Sequence, residues 1–273
     1  MQANTASRAE RTAPPVGGNV GGYNNFWIDR ERGTDVITVD GQLRTSLIVD
    51  PPNGRIPPMT AAAQTRAASR RGVVRPTSDA PEEVSTTAVG AFDDVELRPL
   101  GERCLLGFGS TSGPPALPVL YNNHKQIVQT PQYIMILNEM VHDARIIRMN
   151  QPHLPSHMRF WMGDSIGRWE GGTLVVDTTN FTGKTRFRGS SQSLHVVERF
   201  RRVDDKTILY QFTVEDPDTW TRPWTAEYPW NASDEMLYEY ACHEGNYALQ
   251  GILGGERLLD HEAAEAKKSG SRP

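Results

Sequence analysis

The sequence predicts a mainly β protein: a mostly antiparallel sheet curled into a barrel, with a long irregular N-terminal arm and few short helices. Three observations carry this expectation. Ile208 to Glu215 alternates strictly, with Ile208, Tyr210, Phe212 and Val214 on one face and Leu209, Gln211, Thr213 and Glu215 on the other, the period-two signature of a strand. Similar short stretches follow one another from 133 to 258, separated by turns such as Glu170-Gly171-Gly172 and Asp204-Asp205-Lys206. Finally, the segments beginning at Gly167 and Arg202 repeat one plan of strand, acidic turn, threonine and apolar strand. Many short strands joined by tight turns favour an antiparallel sheet closed into a barrel or a sandwich.

Taken in order, residues 1–22 form a lead-in rich in Ala, Thr, Pro and Gly, whose composition predicts disorder. Residues 23–103 form the arm. Within it, Val36–Val39 and Thr45–Val49 flank Asp40-Gly41, a common hairpin turn pair, and predict a small ribbon. Prolines at 51, 52, 57, 58, 76 and 81 keep the rest irregular, apart from one short helix expected near 60–71. The barrel domain is expected over 104–258, opening with the loop Gly107–Pro118. Its strands are expected at Gln126–Thr130, Tyr133–Met140, Ala144–Met149, Thr173–Asn180, Leu194–Val203, Thr207–Val214 and Leu237–Cys242. Residues 259–273 read as a polar tail.

Composition narrows the function. The chain has 273 residues and a net charge of -4, with a pI near 6.0 and a mean hydropathy of -0.52. Arg66, Arg70, Arg71 and Arg75 lie among alanines without interleaved aromatics, which argues against nucleic acid as a partner. No apolar run approaches the roughly 20 residues of a membrane span. The first 22 residues lack the apolar core of a signal peptide, so the protein is either intracellular or has lost a leader. Two cysteines, Cys104 and Cys242, are compatible with one long-range disulfide in an oxidising compartment or with two buried thiols.

The familiar motifs fail on context. Gly163-Asp164-Ser165-Ile166-Gly167 matches a nucleophile elbow, but a hairpin follows where a helix is needed. Thr182-Gly183-Lys184-Thr185 ends like a phosphate-binding loop, yet Thr178 replaces its first glycine. His243-Glu244 begins a zinc-helix signature that Tyr247 breaks. His153 and His157 have helical spacing that Pro152 and Pro155 deny, leaving a loop with exposed histidines.

What remains is a set of acid–base groups on strands. Glu198 falls on an apolar face with Leu194, Val196 and Phe200, where a carboxylate is costly unless paired or protonated. The competing reading puts Glu198 on an edge, in solvent or paired to Arg199 or Arg201. Continuing the alternation of Ile136–Met149 places Glu139, Val141, Asp143 and Arg145 on one face and Met140, His142 and Ala144 on the other. His142, His195 and His243 are the candidate acid and base groups, with Glu139, Asp143 and Glu198 orienting them or taking the second proton. Three histidines and a carboxylate would also satisfy a metal, but no spacing here is diagnostic, so no metal and no cofactor is assigned. Trp161, Trp220 and Trp224 are candidate pocket walls, Arg222 a holder for a polar tip, and Tyr240 a hydrogen-bond donor to developing charge.

Four strings, Glu139–Arg145, Gly163–Phe181, Thr221–Glu227 and Tyr238–Tyr247, resemble a large group of bacterial proteins of unassigned function, many of which look exported. The resemblance covers Asp29 to Arg257. It implies a processed periplasmic or secreted protein and transfers no activity. The sequence therefore predicts a lipocalin-like barrel whose cavity takes a small apolar molecule, aromatic or terpenoid-like. The leading expectation is a lyase or isomerase working by His/carboxylate proton transfer. A non-catalytic carrier of a hydrophobic ligand and a metal-dependent hydrolase are the alternatives.

Overall fold

Strands form in this chain where successive side chains must face two environments. The computed structural model describes residues 37–39, 41–71, 75–76, 84–85, 94–108, 112–119 and 122–270. In Thr207–Glu215, Tyr210, Phe212 and Val214 are wholly buried, while Gln211 and Thr213 are half-buried and Glu215 is exposed. The expected lead-in at 1–22 lies outside the described residues.

The elements run as follows. β1 (Ile37–Val39) and β2 (Gln42–Arg44) make a ribbon at the expected turn, but its second strand is Gln42–Arg44 rather than Thr45–Val49; the chain turns at Gly41 with φ +75°, a conformation glycine adopts without steric cost. β3 (Ile48–Asp50) leaves the arm and joins the main sheet. α1 (Ala61–Arg71) is the expected helix, and β4 (Arg75–Pro76) pairs with β5 (Val84–Ser85). Then come β6 (Lys125–Gln129), β7 (Tyr133–Asn138), β8 (Ala144–Met149), β9 (Asp164–Glu170), β10 (Thr173–Thr179), β11 (His195–Arg202), β12 (Thr207–Glu215) and β13 (Trp224–Asn231). A long helix, α2 (Tyr247–Gly270), follows.

Among the described residues, nine strands form one sheet in the order β3-β13-β12-β11-β10-β9-β8-β7-β6. All neighbours are antiparallel except β8 and β9, which run parallel, so the sheet is mixed rather than purely antiparallel. The cause is the crossover from Asn150 to Gly163, 14 residues that return the chain to the start of β9 in the direction of β8. A parallel connection needs about that length. Gly167 lets the pair close, since a Cβ there would lie 2.8 Å from both Ile147 Cγ2 and Met149 Sδ.

The sheet rolls up. β6 and β13 are seven strand steps apart, which in a flat sheet is roughly 34 Å at about 4.8 Å per step. Yet the Lys125 ammonium lies 5.7 Å from the Trp230 ring centre. Among the described residues no ladder joins the edge strands β3 and β6, so closure is made by side chains and by the 112–118 segment. Ala116 of that segment donates its N–H to the Tyr210 hydroxyl (2.9 Å) and accepts from the Tyr228 hydroxyl (3.0 Å). Inside, Ile134, Ile136, Ile147, Val176, Val196, Phe212, Trp220 and Trp224 belong to one apolar core. The roll is packed, and the space beside Lys125, Arg145, Glu198 and Trp230 is about 10 Å³.

Three expectations change. Leu237–Cys242 is irregular rather than a strand, because its backbone is diverted: Tyr238 N–H bonds to Glu139 and Cys242 to Cys104. Trp224–Asn231 is a strand in spite of Pro229. The N–H of Glu227 bonds to Leu47 on the β3 side; Pro229, two residues on, faces the same side beyond the end of that ladder, so its missing donor costs nothing. The expected boundary at 258/259 falls inside α2, and the expected polar tail is helical as far as Gly270. Among the described residues, no helix is long and apolar enough to cross a membrane.

Candidate functional site

Two ionic networks and one cleft meet where β8 and β9 run side by side. On the inner face, Arg145 of β8 reaches across to β11. Its Nη1 and Nη2 donate to Glu198 Oε1 (3.0 Å) and Oε2 (2.5 Å), Nη2 also to Thr178 Oγ1 (2.9 Å), and Nε to Ser165 Oγ (3.0 Å). The Tyr210 hydroxyl donates to Glu198 Oε1 (2.7 Å). Glu198 is 1% exposed, so the carboxylate found on an apolar strand face is indeed paired, with Arg145 rather than Arg199 or Arg201. Burial and the Glu198 charge hold the Tyr210 hydroxyl well above the ordinary phenol range, so it stays a donor.

On the outer face of the same strands runs a chain of imidazoles and carboxylates. Arg148 of β8 holds Asp164 (2.9 Å), Asp164 Oδ2 meets His153 Nδ1 (2.9 Å), and His153 Nε2 meets Asp177 Oδ1 (3.1 Å). That oxygen also meets His195 Nε2 (3.0 Å), and His195 Nδ1 lies 3.5 Å from Glu215. Burial pushes the Asp177 carboxyl up, but hydrogen bonds and charge from His195 and His153 outweigh it and hold it below the ordinary range. Asp164 is likewise lowered: the Leu154 N–H, His153 and Arg148 overcome its burial. The bond to Asp177, opposed by burial and aided by Glu215, raises the His195 imidazole. His153 thereby pins the crossover to the sheet.

The cleft opens where β8 loses its neighbour. Pairing with β9 begins only at Ile147 and Ser165, so Ala144–Ile146 faces the 160–163 segment instead of a strand. Ala144, Ile146, Phe160, Trp161, Met162 and Gly163 line a cleft of about 300 Å³ with Arg145 and Ser165 at its floor. Gly163 turns at φ +67°, and a Cβ there would lie 2.6 Å from the Thr179 carbonyl oxygen. Thr185 fixes the far wall by donating to the Trp161 carbonyl (2.6 Å).

At the β7–β8 turn, Val141 and His142 both adopt left-handed backbone, φ +62° and +59°. For a β-branched residue this is a true outlier. Glu139 is buried at its start, accepting from the Tyr238 N–H (2.8 Å) and lying 3.3 Å from His124 Nδ1. Asp143 closes the turn with Oδ2 buried and, among the described residues, unpartnered, and burial raises its carboxyl to about 6.

The candidate residues therefore divide. Glu198 belongs to the inner network, His195 to the outer chain, Glu139, His142 and Asp143 to the strained turn, and Trp161 to the cleft. His142 and His243 are exposed and His195 half-buried. Among the described residues no hydrogen bond or ion pair joins any two of these three, and none lines the cleft or the interior space. The convergence expected of them does not occur, because only His195 lies on a strand, while His142 sits in the β7–β8 turn and His243 in the irregular stretch before α2. Trp220 and Trp224 pack edge to face at 5.8 Å in the core and offer no ligand surface. Arg222 clamps Asp50 through both carboxylate oxygens (2.7 and 2.8 Å), tying β3 to the start of β13. Burial raises the half-buried Tyr240 hydroxyl. His153, Asp164, Asp177 and Arg145 are not among the candidate site residues that the sequence points to. Among the described residues no group of three or more His, Cys, Asp or Glu is arranged to hold a metal.

No protein-family model matches the chain, and no curated protein or solved structure is similar to it at a significant level.

Proposed function

We propose that the protein binds a small, uncharged, apolar molecule of about two fused rings in the cleft between β8 and the 160–163 segment. The single observation that carries this reading is a cleft of about 300 Å³ walled by Phe160, Trp161, Met162 and Ile146. That volume is at the lower end for ligand sites and about twice an engineered cavity that takes benzene. Arg145 and Ser165 at the floor are committed to Glu198 and Thr178, so an anionic ligand gains no free guanidinium there. In a lipocalin-like barrel the guest would occupy the centre; the packed core and the 112–118 segment favour the flank instead. The carrier reading is thus preferred to the enzyme reading. The Cys104–Cys242 disulfide supports export to an oxidising compartment.

The test is calorimetric titration with 2-naphthol and with 2-naphthoate. The neutral compound binds with unit stoichiometry, the anion more weakly, and Ile146→Asp abolishes both. Failure of 2-naphthol to bind at millimolar concentration sinks the proposal.

The lyase or isomerase reading keeps one supporting observation, the Asp143 carboxyl raised to about 6 beside the left-handed His142 and directly before Ala144 of the cleft wall. Carboxyl-carbon NMR titration decides it: an ordinary aspartate midpoint for Asp143 removes the acid–base group on which that reading stands.

A further inference from the structure

The outer face of β6–β8 continues the cleft. Ile146 and Ala144 line the cleft and also begin two cross-strand rows. In the register of the sheet Ile146 pairs with Met135 and Met135 with Val128, while Ala144 pairs with Leu137. These side chains alternate with the buried Ile134, Ile136, Arg145 and Ile147, so all point away from the core. Ile146 is 49% exposed and Val128 42%, with Met135 and Leu137 half-buried. Polar groups bound the strip: Gln126 stands opposite Leu137 at one side, and Arg148 opposite Tyr133 at the other.

We infer that this strip receives a linear apolar tail carried by the molecule whose ring system fills the cleft. The inference rests on the binding reading above and extends it to a substrate class: neutral ring compounds bearing an unbranched alkyl or isoprenoid chain. The dimensions select this occupant. The strip spans two strand spacings, about 10 Å, and two residues along each strand, about 7 Å, giving a footprint of about 70 Å². A stable protein partner needs about 20–30 residues on each side, and the strip offers five. A single hydrocarbon chain needs no more width than the strip gives. Among the described residues its polar neighbours lie at the rims, and no charged side chain stands in the register from Ile146 through Met135 to Val128.

The experiment measures Kd for 2-naphthol and for 2-naphthols carrying linear alkyl chains of increasing length. A fully buried methylene is worth about fourfold in affinity, and one covered on a single side about twofold. Affinity therefore rises about twofold per carbon and levels off when the chain reaches β6, the last strand of the sheet among the described residues. In Val128→Asp, a change at an exposed position, the longest-chain compound falls back toward the affinity of 2-naphthol itself. Binding of 2-naphthol with no gain from the chain overturns the strip and leaves the cleft intact. No binding of 2-naphthol at all removes the cleft reading and this one together. Self-association of the unliganded protein that Val128→Asp abolishes, without a chain-length gain, assigns the strip to a second copy and overturns the proposal.

Discussion

The same four strands carry two ion networks back to back. Ser165 and Thr178 point inward to Arg145 and Glu198, and their sequence neighbours Asp164 and Asp177 point outward to His153 and His195. The inner network pairs a permanent cation with a carboxylate out of reach of water. The outer one pairs titratable imidazoles with carboxylates at partial exposure. Alternation alone thus builds a lock on one face and a pH-sensitive clamp on the other.

The largest effect falls on the inner side. Glu198→Ala leaves the Arg145 guanidinium buried without its counter-charge, which costs about 3–5 kcal/mol, read as a lower urea midpoint at unchanged slope. Replacing both partners, Arg145→Met with Glu198→Leu, recovers most of that loss. If Glu198→Ala costs less than about 1 kcal/mol, the contrast between lock and clamp collapses.

The outer side responds to pH instead. His195 is raised, so its stabilisation is complete below the unfolded imidazole value and is lost as pH rises through the folded one. Asp164 and Asp177 are lowered, so theirs is complete above the unfolded carboxyl value and is lost as pH falls through the folded one. The clamp is therefore tightest between about pH 4 and about pH 6.5. His195→Gln flattens the alkaline side of a melting-temperature profile and changes stability by about 1 kcal/mol at most, given its exposure to solvent. An alkaline limb identical to that of the wild type rules His195 out as its source.

Asp143 gives a change of similar size, with the opposite sign. Its raised carboxyl makes the folded protein bind a proton that the unfolded chain has released, so ionisation above about 6 destabilises the fold. Asp143→Asn raises the melting temperature at neutral pH by the equivalent of about 1 kcal/mol, after discounting for partial solvent screening, and has no effect near pH 4. A destabilised Asn variant shows that Asp143 is held by an interaction rather than tolerated.

Much of the sheet was legible because each strand writes its own alternation. Ala144–Met149 and Thr207–Glu215 need no knowledge of their neighbours. Trp224–Asn231 was hidden by Pro229, whose acceptability depends on where the β3 ladder stops. α2 was hidden by Gly251, Gly254 and Gly255, which lower helix propensity. The odd position of Glu198 was visible from its apolar company, but its partner was not, since Arg145 lies 53 residues away and meets it only once the sheet has rolled. His153 was read as a loop residue and is one; its importance comes from two carboxylates that the crossover brings beneath it. Local pattern reveals which side is inside, whereas the pairing of distant charges is a property of register and curvature.

The parallel junction of β8 and β9 has a consequence for how the molecule comes apart. It divides the sheet into two meanders, β6–β8 and β9–β13, each held together by hairpin neighbours, while only Ile147, Arg148 and Met149 register against the opposite strand across the seam. So short a ladder is expected to open first, its amides exchanging with solvent ahead of those in β10–β12, while the Arg145–Glu198 pair and the shared core hold the two meanders together. The proposed binding cleft sits in the mouth of the seam, so an occupant touching both halves would act as a rivet between them.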